Sequence, residues 1–199
     1  MKHIFKQGDS TKPTLLLLHG TGGTEEDLVP LANLIAPENS YLSVRGNVSE
    51  NGMPRFFKRL AEGVFDEKDL VERTKELNDF ITDASKKYGF DRDNVIAIGY
   101  SNGANIAGSL LLHDSNSLRA AILHHPMVPI RGLTSDLTNT PIFIGAGEND
   151  PICSSEETVE LKNILTEAGA DVTVHWERMG HQLTKQEVEE AARWYNSKF

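Results

Sequence analysis

The sequence has little cysteine and no long apolar run. Cys153 is the single cysteine among 199 residues, so no intramolecular disulfide can form and no cysteine cluster is available for zinc. This favours a reducing compartment, and we expect a cytoplasmic protein. The longest purely aliphatic run, residues 15–18, is too short to span a bilayer, and no apolar signal region follows Met1. We therefore expect neither membrane insertion nor secretion by a standard signal.

Positive charge is also in short supply. The chain carries 20 Lys and Arg against 29 Asp and Glu, a formal net charge of −9. A nucleic-acid partner is therefore disfavoured, because binding to phosphates needs clustered Lys and Arg. The hydrophobic fraction of 39% is that of an ordinary globular protein, and 199 residues can bury a core without metal or disulfide support. We expect one domain, residues 1–199.

Short apolar runs alternate with segments of helical periodicity along the chain. The runs lack the alternation of half-exposed strands and are typical of buried parallel strands; they are residues 14–18, 41–44, 94–98, 119–123, 141–144 and 172–176. Helical patterns begin at or just after Thr24, Asp66, Ser101, Ser154 and about Thr184. Residues 45–66 have no clean period, and we interpret them as a long loop, too short for a folded cap domain. This order predicts an α/β fold with a doubly wound, mostly parallel sheet and helices on both faces.

One strand-to-helix junction carries a G-x-S-x-G motif, Gly99-Tyr100-Ser101-Asn102-Gly103. In such a turn the serine is held in a strained conformation with its hydroxyl exposed, and side chains at the flanking glycines would collide with backbone. The motif alone is common by chance, but here it lies between a strand pattern and a helix pattern, as the mechanism requires. Ser101 is the candidate nucleophile.

A nucleophilic serine needs a base to accept its proton and an acid to orient that base. Proteins with this turn place them in the order Ser, Asp or Glu, His, each after a later strand. Asp150 follows the strand pattern 141–144, and His181 follows 172–176. The sequence therefore predicts a Ser101–Asp150–His181 triad, with Glu148 as the alternative acid.

The oxyanion of the reaction needs two backbone donors. We assign them to the amides of Asn102, at a helix start, and Thr21, in the glycine-rich turn after the first central strand. His19 is expected to order this turn rather than to act as the base.

No cofactor or metal is predicted. Two G-x-G patterns, at residues 20–25 and 145–150, have an acid where a dinucleotide site needs its third glycine. The pair His124-His125 is an alternative metal site, but neighbouring residues of a strand point to opposite faces and no third ligand is evident. Cys153 has no charge partner in view, so we expect it to pack rather than to react.

With these motifs placed, the chain resembles the phospholipase/carboxylesterase family of α/β-hydrolases, the group similar to acyl-protein thioesterases. The resemblance runs from about Thr14 to the C-terminus, and residues 45–46, 50–57 and 63–66 resemble a bacterial branch of small carboxylesterases, the MhqD-type hydrolases. It implies a capless fold, a Ser-Asp-His triad, ester substrates, a cytoplasmic location and often a homodimer. Gly23 and Asn102 replace the acid and the glutamine usual in the thioesterases, which argues against fatty-acyl specificity.

The long loop offers four hydrophobic candidates for a substrate pocket: Met53, Phe56, Phe57 and Leu60. The alternative is that Phe56 and Phe57 only anchor the loop to the core. The resulting hypothesis is a serine carboxylesterase acting on small aliphatic or aryl esters. Its alternatives are a thioesterase or lysophospholipase with the same triad, and a non-catalytic binder of small aromatic ligands on a hydrolase fold.

Overall fold

The computed structural model describes all residues, 1–199, as eleven strands and five helices. The strands are β1 (His3–Lys6), β2 (Thr14–Leu18), β3 (Tyr41–Val44), β4 (Val48–Glu50), β5 (Met53–Arg55), β6 (Arg59–Ala61), β7 (Val64–Phe65), β8 (Val95–Tyr100), β9 (Ala120–His124), β10 (Pro141–Gly147) and β11 (Asp171–Glu177). The helices are α1 (Val29–Ile35), α2 (Glu67–Tyr88), α3 (Asn102–His113), α4 (Ser155–Glu167) and α5 (Lys185–Lys198).

Seven strands form one central sheet in the order β1-β3-β2-β8-β9-β10-β11. Only β1 runs antiparallel to its neighbour; the other pairs are parallel. The predicted α/β architecture with a mostly parallel sheet is confirmed, and no separate cap is present. The carboxyl ends of β2, β8, β9, β10 and β11 lie at one edge, where ligand sites of open α/β sheets are found.

Helices cover both faces of the sheet. Alternate residues of β2 point to opposite faces, so Leu16 belongs to the core cluster that includes residues of α2, α3 and α4, whereas Leu17 belongs to the cluster that includes residues of α1 and α5. Both side chains are fully buried. Burial on both faces explains why this strand shows a continuous aliphatic run instead of alternation.

The long helix α2 follows its sequence pattern closely. The side chain of Asp66 accepts a hydrogen bond from the Asp69 N–H, and Gly89 ends the helix with φ +75°. All five positions of the predicted face are buried: Leu70, Thr74, Leu77, Ile81 and Ala84.

Two local predictions were wrong, and one strand was missed. Strand β1 was not predicted, and helix α1 begins at Val29 rather than just after Thr24, whose hydroxyl instead caps a turn by accepting from the Glu26 N–H. The supposed loop 45–66 contains two hairpins, β4–β5 and β6–β7. In the first hairpin Asn51 and Gly52 both have positive φ, +51° and +83°, the geometry that an Asn-Gly pair favours in a two-residue turn.

Helix α3 approaches the sheet at a glycine. A Cβ on Gly103 would overlap the carbonyl oxygen of Leu18 in β2, which is backbone and cannot rotate away. We predict that Gly103→Ala lowers the free energy of unfolding by about 1–3 kcal/mol through overpacking, measured by urea denaturation.

The matched control is Gly108→Ala in the same helix. A Cβ there would meet only Pro129, at 3.4 Å, an ordinary contact. It should leave stability unchanged or raise it by up to about 1 kcal/mol, because alanine favours helix over glycine. Equal destabilisation by both substitutions would contradict the close-approach explanation.

Candidate active site

Ser101 occupies a sharp turn between β8 and α3. Its backbone angles, φ 52° and ψ −114°, lie outside the regions that residues other than glycine usually adopt. Its N–H donates to the His124 carbonyl (2.9 Å), and its own carbonyl accepts from Asn105 N–H (2.9 Å). A Cβ on Gly99 would lie 2.7 Å from backbone atoms of Ala104. The flanking glycines therefore let the turn close, as the motif predicts.

The structure brings together the three residues that the sequence separated. His181 Nε2 lies 2.9 Å from Ser101 Oγ, and His181 Nδ1 lies 2.7 Å from Asp150 Oδ2. The alternative acid Glu148 lies away from the histidine and accepts instead from Arg178 Nε at 2.7 Å. The geometry thus selects Asp150 as the carboxylate facing His181.

Asp150 is held ionised by backbone donors. Its second oxygen, Oδ1, accepts from the N–H groups of Ile152 (2.8 Å) and Cys153 (3.0 Å). Burial alone raises the pKa of Asp150, but these hydrogen bonds and the one from His181 outweigh it and bring the pKa below its ordinary value. At neutral pH the group is therefore a carboxylate, able to accept from the imidazole.

Tyr100 holds His181 in position. No pattern in the sequence indicates this contact. Its phenol donates to the His181 carbonyl at 2.6 Å. Burial, followed by the nearby charges led by Asp150, raises the pKa of Tyr100, so the phenol keeps the proton it donates. Gly180, with φ +63°, is tied by its N–H to Asn149 Oδ1 at 2.9 Å. The loop carrying His181 is therefore held on two sides.

The two amides assigned to the oxyanion hole both belong to residues that line the cavity in front of Ser101. Asn102 is the first residue of α3, so its N–H has no acceptor within the helix. Thr21 donates no hydrogen bond to any backbone carbonyl. Both donors are thus available to a ligand.

His19 connects the glycine-rich turn to the segment after β3. Gly46 N–H donates to His19 Nε2 (3.0 Å), so the ring proton resides on Nδ1, which donates to the Gly20 carbonyl (2.6 Å). Burial lowers the pKa of His19, which keeps it neutral as this arrangement requires. It orders the turn and has no contact with Ser101.

The hairpin β4–β5 contacts the glycine-rich turn after β2. Gly22 N–H donates to the Pro54 carbonyl at 2.9 Å, and Arg55 Nη1 donates to Thr21 Oγ1 at 2.6 Å. Just after the hairpin, Phe56 N–H donates to the side-chain oxygen of Asn102 at 2.7 Å. These contacts were not predicted, because residues 45–66 were interpreted as an irregular loop.

The cavity beside Ser101 has a volume of about 260 Å³. None of the four predicted pocket residues lines it. Phe56 and Phe57 are 1% and 0% exposed and belong to the core, so the alternative, that they anchor the segment, describes them. Met53 and Leu60 lie outside, 40% and 72% exposed.

The cavity wall is of mixed character, with five hydrophobic residues among the fourteen that line it. Arg55 and Arg59 line one side, and both pair with Glu50, at 3.5 and 2.9 Å. The hydrophobic part comes from residues that the sequence did not indicate: Phe65, Tyr100, Met127, Ile152 and Cys153. The site therefore combines an apolar wall with a side that carries two guanidinium groups paired with Glu50.

The expected divergence of His124 and His125 was wrong. His125 follows β9 with φ +52°, and this left-handed turn brings both imidazoles to the carboxylate of Glu187 in α5. Ligand atoms of His125, Asp150 and His181 lie within 4.8 Å of one another, which is the grouping nearest to a metal site. These atoms are joined by hydrogen bonds through Asp150 Oδ2.

Cys153 is buried, and its thiol donates to the His125 carbonyl at 3.2 Å. Burial, with the charge of Asp150 as a second cause, raises the pKa of the thiol far above its ordinary value. The group therefore stays protonated at neutral pH, in keeping with a packing role.

None of the five helices is both long and apolar enough to cross a bilayer.

Comparisons with known proteins identify hydrolases and carboxylesterases as similar to this chain. The family model described as Phospholipase/Carboxylesterase matches residues 1–197. A hydrolase named MhqD from Bacillus subtilis strain 168 is 59% identical over 196 residues, 98% of each chain. The crystal structure of a Bacillus cereus carboxylesterase is 63% identical, with a TM-score of 0.99 over 100% of this chain and 95% of that one.

A third relative is YahD, whose structure was determined with malic acid. It is 35% identical, with a TM-score of 0.96 over 100% of this chain and 99% of that chain. The resemblance identified from the motifs is confirmed by these matches. The chain belongs to the phospholipase/carboxylesterase family, and it is an α/β-hydrolase that cleaves esters.

Proposed function

We propose that this hydrolase is a serine carboxylesterase that cleaves small aliphatic or aryl esters through a covalent acyl-enzyme. The observation that carries the proposal is the continuous hydrogen-bonded series Ser101 Oγ, His181 imidazole, Asp150 carboxylate, with distances of 2.9 and 2.7 Å. A nucleophile, a base and an orienting acid within hydrogen-bond reach are what acyl transfer to serine requires.

In the first half-reaction Ser101 Oγ attacks the ester carbonyl carbon while His181 Nε2 accepts its proton. The amides of Thr21 and Asn102 donate to the oxyanion that forms. The bond to the leaving alkoxide breaks, and His181 returns the proton to it, releasing the alcohol. In the second half-reaction a water molecule gives a proton to His181 and attacks the acyl-enzyme carbonyl carbon. The bond to Ser101 Oγ breaks, His181 returns the proton to Ser101, and the carboxylic acid is released.

The cavity favours a short acyl group. Its volume of about 260 Å³ lies below the roughly 300–1,000 Å³ of sites that hold drug-sized ligands. Arg55 and Arg59 line it, so a long apolar chain would also meet guanidinium groups. The malic acid bound to YahD is likewise small and polar. Lysophospholipase activity, one alternative from the sequence, fits this cavity poorly.

Thioester cleavage remains an alternative leaving-group chemistry for the same triad, and a non-catalytic binder is the alternative from another class. The complete triad argues against the binder, since binding alone does not require a base aligned on a serine. The single-domain organisation, cytoplasmic location and homodimer expected from the sequence stay predictions, as does the absence of a cofactor.

The first prediction concerns the nucleophile. Ser101→Ala should reduce kcat/KM for p-nitrophenyl acetate by about 10⁴-fold or more, because no other group is placed to form the acyl-enzyme. A fluorophosphonate probe should label the unmodified protein at Ser101 and should not label the variant, as read by mass spectrometry.

The control is Ser135→Ala, whose hydroxyl bonds the Leu111 carbonyl (2.6 Å) and lies outside the cavity. It should keep both activity and labelling. Undiminished turnover in Ser101→Ala would refute the assignment, and ligand binding without any labelling would favour the non-catalytic alternative.

The second prediction concerns acyl length. Along a series of p-nitrophenyl esters, kcat/KM should be highest for acetate to butyrate and should fall by about 10-fold or more at palmitate, since a sixteen-carbon chain exceeds a cavity of about 260 Å³. Met127→Ala, which removes part of the apolar wall, should move the optimum towards longer chains. A palmitate ester cleaved as fast as the butyrate would contradict the size argument.

A further inference from the structure

His125 lies immediately beyond β9 in a conformation that favours glycine or asparagine. Its φ is +52°, and left-handed backbone of this kind is strained for most side chains. Two hydrogen bonds stabilise this conformation: His125 N–H donates to the Gly145 carbonyl (2.7 Å), and the His125 carbonyl accepts from Cys153 Sγ (3.2 Å). The turn directs the imidazole under the triad, with its side chain 0% exposed.

Both ring nitrogens of His125 face carboxylate oxygens. Nδ1 lies 3.1 Å from Asp150 Oδ2, the same oxygen that accepts from His181, and Nε2 lies 3.0 Å from Glu187 Oε2. Ionised carboxylates only accept hydrogen bonds, so both contacts are satisfied together when each nitrogen carries a proton. The geometry therefore fits an imidazolium.

Glu187 is built to hold such a cation. It lies in the first turn of α5, where its N–H donates to the capping Thr184 hydroxyl (3.0 Å) and the helix dipole favours negative charge. Its side chain is also fully buried. Burial raises the pKa of Glu187, but the hydrogen bonds from His124 and His125 outweigh it and lower the pKa to about 2.

Both charged groups in direct contact with His125 are carboxylates, which favour the protonated imidazole. Asp150 faces it from the loop after β10 and Glu187 faces it from α5; the rings of Tyr100 and His181 lie 6.0 and 5.2 Å away between centroids. Burial lowers the pKa of His125, but the hydrogen bonds and charges of Glu187 and Asp150 outweigh it, so the pKa lies above its ordinary value.

We propose that His125 is a positioning residue of the active site, held as a buried cation between Asp150 and Glu187, and that it sets the pH range in which His181 acts as a base. This inference rests on the proposed function. An imidazolium beside Asp150 Oδ2 offsets part of the negative charge that His181 experiences. The net charge that faces His181 therefore depends on His125.

The sign of the test follows from the charge. Replacing His125 by a neutral residue removes a positive charge about 5 Å from His181, so we expect the acidic limb of the kcat/KM profile to move to higher pH. At an effective dielectric constant of about 20, a charge at this distance moves such a limb by roughly two pH units.

We expect His125→Asn to show this shift with p-nitrophenyl acetate, because asparagine tolerates the positive φ and is neutral. The double variant His125→Asn/Glu187→Gln avoids leaving a buried carboxylate without its partner. If the single variant does not fold, the double variant should show a smaller upward shift, because loss of the Glu187 charge acts in the opposite direction. The pH dependence of fluorophosphonate labelling of Ser101 should move with the kinetic limb.

The matched control is His124→Asn. His124 is equally buried and contacts Glu187, but it has no contact with Asp150. It should lower stability without moving the limb. An unchanged limb in both His125 variants, or an equal shift in His124→Asn, would overturn the inference while leaving the esterase assignment intact. Loss of the esterase assignment itself would instead appear as unlabelled, inactive wild-type protein.

Discussion

Two carboxylates, Asp150 and Glu187, are fully buried at the carboxyl edge of the sheet, and their removal from water constrains everything around them. A buried carboxylate costs several kcal/mol unless hydrogen-bond donors replace the lost water. Asp150 receives donors on both oxygens, from two backbone amides and two imidazoles. The arrangement of these donors places His181 against Ser101, so satisfying a buried charge and building the reactive group are the same structural task.

The segment after β3 supports the second half of the site. This segment forms two hairpins, and Phe56 and Phe57 between them are buried in the core. Its backbone and Arg55 then hold the turn that carries the Thr21 amide. Preorganised amides stabilise an oxyanion without reorganising during the reaction, so in the proposed mechanism this support of the turn contributes to the chemistry, while Arg55, Arg59 and Phe65 of the same segment line the cavity.

Sequence patterns predicted the parts of the molecule that follow a local rule. Buried strands, the face of α2 and the turn at Ser101 each depend on residues within a few positions of one another. The meeting of Ser101, Asp150 and His181 at one edge of the sheet also followed, because their order in the chain and the ends of the strands before them are both visible in the sequence. The Tyr100 contact to His181 and the Phe56 contact to Asn102 join residues 81 and 46 positions apart, and no local pattern encodes them. The hairpin at Asn51-Gly52 had a local signal that was overlooked.

His125 shows why a correct local rule can still mislead. Adjacent strand residues point to opposite faces only while the strand continues, and β9 ends at His124. The left-handed turn at the next residue lets both imidazoles reach one carboxylate.

Gly145 completes this convergence, since a Cβ there would overlap the Glu187 side chain that passes over β10. Glycine is therefore required at this position by the Glu187 side chain, 42 residues away in the chain, and not by the conformation of a turn. Helix α5 and the loop before it deliver both Glu187 and His181, so the packing of this one segment on the sheet fixes the base and the buried counter-charge together.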